Sequence, residues 1–303
     1  MMTDETAKRP RRIGLLLVIL PLWLVVSGGV AMWYFLQRDK KLAAAEQQRF
    51  SRSVSEAALA DDMRKLVGIV GERNGASEDA AKNLSRAAAM IEGSLGPSNI
   101  GFAVSRAPGP ADWPLLHVRI TGRNPDLPAV WVVCAYDSRP GSPGAEANAS
   151  GVAALLAAAQ ALAGETPATS VHFAFLPHGN DPDSPVVQTA RKFSDLAGKP
   201  SAILCVEAMG AGGELWLSSR DTEAMPLSKT TGLGSVKGAE VVCIGDDADF
   251  ASVLFELGLP AVRVATRPQV IAAEADDRLP VPATHSASTG RLVELIRRCA
   301  NPR

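Results

Sequence analysis

The 303-residue chain carries 31 basic and 32 acidic side chains, four histidines, four cysteines and 47% hydrophobic residues. That composition supports a full-sized buried core and excludes a chain disordered throughout. A net charge of −1 also lacks the basic excess of a nucleic-acid binder, so no nucleic-acid partner is expected.

The charge is uneven along the chain, because residues 1–60 hold nine Lys/Arg against five Asp/Glu. A basic tail, 1–12, precedes 25 consecutive uncharged residues from Ile13 to Gln37, enough for about 37 Å of helix and a bilayer crossing. A cleaved signal peptide would have a shorter apolar region and a small-residue cleavage site, whereas this run continues into Trp33-Tyr34-Phe35, a sequence suited to a membrane interface. Basic residues flank both ends, so loop charge discriminates poorly between orientations. The expected arrangement is a single-pass membrane protein with residues 13–37 in the membrane, a cytoplasmic N-terminus and an extracytoplasmic C-terminal domain.

Residues 38–73 read as a helical stem, with Leu59, Met63, Leu66, Val67 and Val70 on one face. The remaining domain, 74–303, begins with a second helix capped by Ser77, followed by Glu78 and Asp79, that turns Leu84, Ala88, Ile91 and Leu95 inward. Past Gly96-Pro97 the period changes. Strands are predicted at 100–105, 115–121, 129–136, 170–176, 202–206, 213–218, 240–244 and 261–265. Helices are predicted at 151–163, from Pro185 to Gly198, at 249–257 and at 288–299. Strands alternating with helices imply a three-layer α/β/α sandwich around a mixed sheet. Such sheets bind ligands at the carboxyl ends of their strands, which singles out the loops after 136, 176, 206 and 244.

Those loops carry recognisable residues. Trp131 to Ser138 reads Trp-Val-Val-Cys-Ala-Tyr-Asp-Ser, and Gly144 to Gly151 reads Gly-Ala-Glu-Ala-Asn-Ala-Ser-Gly. Phe173-Ala-Phe-Leu-Pro-His-Gly-Asn-Asp181, Cys205-Val-Glu-Ala-Met-Gly210 and Gly258-Leu-Pro-Ala261 follow in order. Together these resemble the co-catalytic zinc aminopeptidase family, whose relatives include bacterial leucyl aminopeptidases, glutamate carboxypeptidases, glutaminyl cyclases and the transferrin receptor ectodomain. In that family the blocks read His-Tyr-Asp-Ser, Gly-Ala-Asp-Asp-Asn-Ala-Ser-Gly, Gly-Glu-Glu, Leu-Asp-Met-Xaa-Gly and Gly-Ile-Pro-Ala. The resemblance spans about residues 60–300.

The resemblance implies two zinc ions that polarise a carbonyl and activate a bridging water. By the same frame Ala135 stands where a zinc-binding His is expected, Ala147 at the bridging Asp, beside Asn148, and Asn180 at the general-base Glu. Asp181 and Glu207 replace a ligand Glu and a ligand Asp, and no His stands near 270–272 for the last ligand. Methyl groups do not bind metal and an amide is not a base. Asp137, whose family role is to orient the absent His, is expected to be left with nothing to hold. The expected state is therefore a metal-free, catalytically inactive peptidase-like domain with no cofactor, acting as a scaffold or as a receptor for a peptide or protein ligand. Near Gly245, Asp246, Asp247 and Asp249 compete for one family position.

Other readings compete with this one. His178 with Asp181 and Asp183 is a weak candidate for a relocated metal site, and Asp137, His178, Asp181 and Glu207 together could serve a remodelled hydrolase. Glu207 alone could act as an acid or base, or simply line an emptied pocket. Asn148-Ala149-Ser150 is either a glycosylation acceptor or, more simply, a helix N-cap. Cys134, Cys205 and Cys243 lie in apolar strand runs that suit inert buried thiols, and Cys299 ends the last helix. No Gly-Xaa-Ser-Xaa-Gly occurs. His117 and His172 fall in strands, and His285 lies out of frame.

Overall fold

A computed structural model describes Trp23, residues 27–30, 32–34, 53–180, 185–219, 249–267 and 276–301, together with the backbone of 239–243. The chain divides into two units, 1–50 and 51–303. In the first, the described residues are helical. The membrane span predicted for 13–37 falls mostly outside the described residues, among which no helix is long and apolar enough to cross a membrane.

The second unit opens with α1 (Glu56–Met63), for which the Ser55 hydroxyl accepts from the Ala58 amide. The turns then widen into a π-helix, Arg64–Val70, closed by the Gly71 amide on the Leu66 carbonyl. Gly71 has φ +76° there, a conformation that favours glycine. Leu59, Met63, Leu66 and Val70 are buried as their spacing predicts, and Val67 is half-buried. α2 (Glu78–Leu95) starts on the Ser77 hydroxyl, as predicted, and buries Leu84, Ala88, Ile91 and Leu95.

The strand predicted at 100–105 forms later, as β1 (Ser105–Pro108). The Gly101 and Phe102 amides donate instead to the Gly96 and Leu95 carbonyls at the end of α2, which removes them from any ladder. β2 (Pro114–Ile120), β3 (Val130–Ala135), β4 (Val171–Leu176), β5 (Ala202–Val206), β6 (Leu215–Ser219), β7 (Ala239–Cys243) and β8 (Ala261–Ala265) lie close to their predicted places. They form one sheet in the order β1-β2-β4-β3-β5-β8-β6-β7. The central strands β4, β3, β5 and β8 run parallel, while β2 on one side and β6 on the other pair antiparallel.

Side chains alternate between two cores, as a sheet covered on both faces requires. Val130, Val132 and Cys134 face α1, α2, α3 (Gly151–Leu162) and α6 (Pro282–Ala300). Trp131 and Val133 face α4 (Val186–Ala197) and α5 (Phe250–Glu256), where Trp131 meets Phe193 edge-on at 5.3 Å. The α3 sequence, Gly-Val-Ala-Ala-Leu-Leu-Ala-Ala-Ala-Gln-Ala-Leu, is apolar almost all round, which suits a helix buried between the sheet and other helices. α6 begins six residues before its predicted start. Pro282 occupies its first turn, where a missing N–H costs nothing, and the His285 amide donates to the Val281 carbonyl.

Candidate functional site

The parallel strands β3, β4, β5 and β8 point their carboxyl ends the same way, and the loops that leave them converge. β3 ends at buried Ala135, followed by buried Tyr136, Asp137 and Ser138. The Asp137 carboxylate is not idle, contrary to expectation. It accepts from the Gly179 and Asn180 amides at 3.0–3.1 Å and from Asn180 Nδ2 at 3.3 Å, bracing the loop after β4. Gly179 is required at that approach, because a Cβ there would stand 2.5 Å from the Ala135 Cβ.

The loop before α3 is tied down along its length. Gly144 has φ +57°, and a side chain on it would meet the Ala147 carbonyl oxygen at 2.5 Å. The peptide between Ala147 and Asn148 is cis. Asn148 is fully buried and its Nδ2 donates to the Ala135 carbonyl at 3.0 Å, so no face is left for a glycan. Ser150 stands at the N-cap position of α3, but its side chain does not cap the helix. Its hydroxyl donates to the Glu146 carbonyl at 2.8 Å and accepts from the Met209 amide at 2.8 Å, which stitches this loop to the one after β5. Asp276 closes the loop from the other side. Its carboxylate accepts from the Glu146 amide at 2.9 Å and the Ala147 amide at 2.7 Å, and its carbonyl accepts from Ala145 at 2.8 Å.

Two fully buried arginines lie beneath this assembly, and neither was anticipated from the sequence. Arg73, just after the π-helix, donates to the carbonyls of Gly71, Tyr136, Pro143 and Gly144 at 2.5–3.3 Å. Burial lowers its guanidinium to about 10, opposed by the field of Asp137. Arg263, in the middle of β8, directs Nε to the Glu207 carboxylate at 2.9 Å and Nη1 to the Arg267 carbonyl at 3.0 Å. Burial pushes the Glu207 carboxyl above its usual range, and Arg263 works against that push. An arginine centred in Ala-Val-Arg-Val-Ala was the available signal, since a charge in an all-buried strand needs a partner.

Ala147 packs with Ala208 and Ala265, so methyl groups fill the space between the loops after β3, β5 and β8. Ala208 has φ +39°, in the left-handed region that costs a non-glycine residue about 1–2 kcal/mol. Its carbonyl is held there by the Thr266 amide at 3.0 Å and hydroxyl at 2.5 Å. Glu146 is buried, accepts from the Gly210 amide at 3.2 Å, and is raised by burial. Among the three competing aspartates, Asp249 caps α5 by accepting from the Ser252 amide at 2.6 Å, whereas Asp246 and Asp247 lie outside the described residues.

The remaining candidates separate. His178 is buried and its imidazole is lowered to about 4 by burial. Asp181 and Asp183, which would complete its relocated metal site, lie outside the described residues. His285, out of frame in sequence, reaches the site turn in space: Nε2 lies 3.0 Å from the Ser150 carbonyl, and burial lowers the ring to about 4. His117 and His172 belong to a stack on Trp131, whose ring is centred 4.2 Å from that of His172. Cys134, Cys205 and Cys299 are buried free thiols. No group of three or more His, Cys, Asp or Glu suited to a metal occurs among the described residues.

Residues 116–178 match the family described as Peptidase family M28, a segment running from β2 through the first site loops to His178. A search of curated proteins returns no match. Solved structures share the fold widely. The LapA aminopeptidase of Legionella pneumophila superposes with a TM-score of 0.64 at 13% identity, covering 87% of this chain and 74% of that one. A leucine aminopeptidase precursor from Bacteroides thetaiotaomicron gives 0.62 at 12% identity over 82% and 98%. Glutaminyl cyclase from Tannerella forsythia gives 0.61 at 14% identity over 81% and 99%. A zinc-dependent exopeptidase from Parabacteroides distasonis gives 0.59 at 14% over 81% and 99%. The chain is thus a peptidase-like α/β protein that resembles Peptidase family M28 in its first site loops and has the fold of bacterial aminopeptidases, zinc exopeptidases and glutaminyl cyclases.

Proposed function

We propose that this chain is a membrane-anchored protein whose peptidase-like domain binds a peptide or protein ligand and neither holds zinc nor hydrolyses peptides. The observation that carries this reading is the make-up of the convergent strand ends. Two positions that the family frame assigns to metal hold Ala135 and Ala147, and the position of the base holds Asn180. The one carboxylate kept among the described ligand positions, Glu207, is engaged by Arg263. A zinc pair needs nitrogen or carboxylate ligands around each ion, and these residues do not fit it.

The remodelled-hydrolase alternative finds little support in the geometry. Asp137 is committed to the backbone of 179–180, Glu207 to Arg263, and His178 is a buried neutral ring. A water-activating group needs a carboxylate or imidazole aimed at open space near an electrophile site. Anchoring through 13–37 rests on the uncharged run itself, and the side on which the domain lies is part of the proposal.

Full-length protein purified in detergent tests both parts. Metal analysis is expected to give no stoichiometric zinc, and aminoacyl anilides are expected to survive incubation with added zinc. Two bound zincs with chelator-sensitive turnover would overturn the proposal. Retention in carbonate-washed membranes and protease access to the domain only from the extracytoplasmic side are the expected topology results.

A further inference from the structure

If the centre holds no metal, the carboxylate of Glu207 still needs a counter-charge, because a buried carboxylate must find a cation or take up a proton. The inference below rests on the metal-free reading and concerns what replaced the ion. Arg263 occupies the middle of β8 between Ala261, Val262, Val264 and Ala265, all buried. Its side chain is wholly buried and that of Glu207 is 12% exposed. Packing alone gives no reason for a guanidinium here, since an aliphatic side chain would fill an apolar strand without the cost of desolvating a charge. The register sets Arg263 opposite Cys205, two residues before Glu207 on the neighbouring parallel strand. Nε therefore meets the carboxylate at the end of β5, while Nη1 holds the Arg267 carbonyl at the exit of β8.

We propose that Arg263 is the resident cation of this centre: its guanidinium takes the electrostatic place of a metal ion, neutralises Glu207, ties the ends of β5 and β8 together, and closes the site to divalent cations. A guanidinium carries its charge without recruiting an ion from solution, and its planar fork fixes direction as well as charge. The Ala147, Ala208 and Ala265 methyls complete the closure on the side where the family frame puts a bridging carboxylate. A divalent ion brought to Glu207 would have to compete with Arg263 for Oε2 and sit beside a like charge.

A double-mutant cycle on the full-length protein tests the coupling. Arg263→Met and Glu207→Gln should each lower the melting temperature, the first by roughly 10 °C, because each strands its partner in a buried setting. The double variant should fall by clearly less than the sum, and exposed Arg267→Met should change little. Additive losses, or an Arg263→Met loss no larger than that of Arg267→Met, would overturn the inference. A second arm adds zinc chloride to Ala147→Asp, with and without Arg263→Met. Zinc should raise the melting temperature further when Arg263 is gone, with affinity weaker by about tenfold or more when it is present. Equal affinity in the two backgrounds would overturn the exclusion. Stoichiometric zinc in the wild type would remove this inference together with the function proposed above, whereas an additive cycle in a zinc-free wild type would remove this inference alone.

Discussion

The two buried arginines lie under the same row of loops, yet the chain accommodates them in different ways. Arg73 is surrounded by backbone carbonyls from 71, 136, 143 and 144, so it works as a geometric clamp whose partners carry no net charge. Arg263 meets a carboxylate, so it works chiefly as a charge. The first arrangement fixes where a loop runs. The second sets the charge where β5 and β8 end. The contrast teaches that one row of loops can hold one buried guanidinium by carbonyls alone and another by a carboxylate.

The largest expected effect separates these roles on the Arg73 side. Arg73→Met removes the guanidinium from four carbonyls, of which Gly144 keeps the Ala149 amide; at about 1–3 kcal/mol for each of the other three where no water enters, it is expected to cost at least about 3 kcal/mol or to prevent folding. Urea denaturation reads the loss. Arg73→Lys should fail almost as badly, since one ammonium has three donors and no fork; a wild-type midpoint for that variant would refute the clamp.

Next in size is the acid limb of stability. His285 is held neutral to about 4 in the folded protein against an ordinary value of 6.5. The unfolded chain therefore binds the extra proton first, and the stability this group contributes is complete above about pH 6.5 and lost as pH falls towards 4. For so buried a ring the loss is at most about 3 kcal/mol. Glu146 and Glu207, raised by burial, contribute with the opposite sign, so a comparison of variants is needed to isolate the histidine. His285→Gln should flatten the decline in melting temperature between pH 6.5 and 4. An unchanged slope would show that His285 does not couple the α6 start to the site turn.

Asp276→Ala should cost about 1.5–3 kcal/mol, the range for hydrogen bonds to a charged group, by releasing the Glu146 and Ala147 amides. Faster amide exchange at those residues would place the loss on the Arg73 side of the centre, since Arg73 holds the adjoining Gly144. The smallest effect belongs to the Arg263 side. Ala208→Gly should stabilise by a few tenths to about 1 kcal/mol, because glycine relieves the positive φ but adds entropy to the unfolded chain. A destabilised variant would mean that the Ala208 methyl, packed on Ala147 and Ala265, matters more than the strain.

Much of the fold was legible because it follows local rules. The short apolar runs at 130–135, 171–176 and 202–206, rich in β-branched and aromatic residues, the Ser77 cap and the apolar residues of α2 are local signals that need no distant partner. No strand forms at 100–105 before Ser105 because the Gly101 and Phe102 amides are taken by the end of α2, and α6 starts earlier than its apolar periodicity predicts because Pro282 is suited to its first turn. Ala135, Asp137, Ala147, Asn180 and Glu207 lie at the end of β3 and on the loops that leave the parallel strands, and these converge. What occupies Asp137, Ser150 and Glu207 was not legible, because each partner lies tens of residues away in sequence.

The sequence by itself determined an α/β chain with its candidate chemistry at strand ends, because periodicity and turn residues act over a few neighbours. Only the tertiary structure decided that Asp137 braces a loop, that Ser150 stitches two loops instead of capping a helix, that Asp276 fastens the 145–147 amides and that Glu207 meets Arg263. Those pairings depend on strand order, and β5 lies beside β8 for reasons of packing across the whole sheet that no local pattern records.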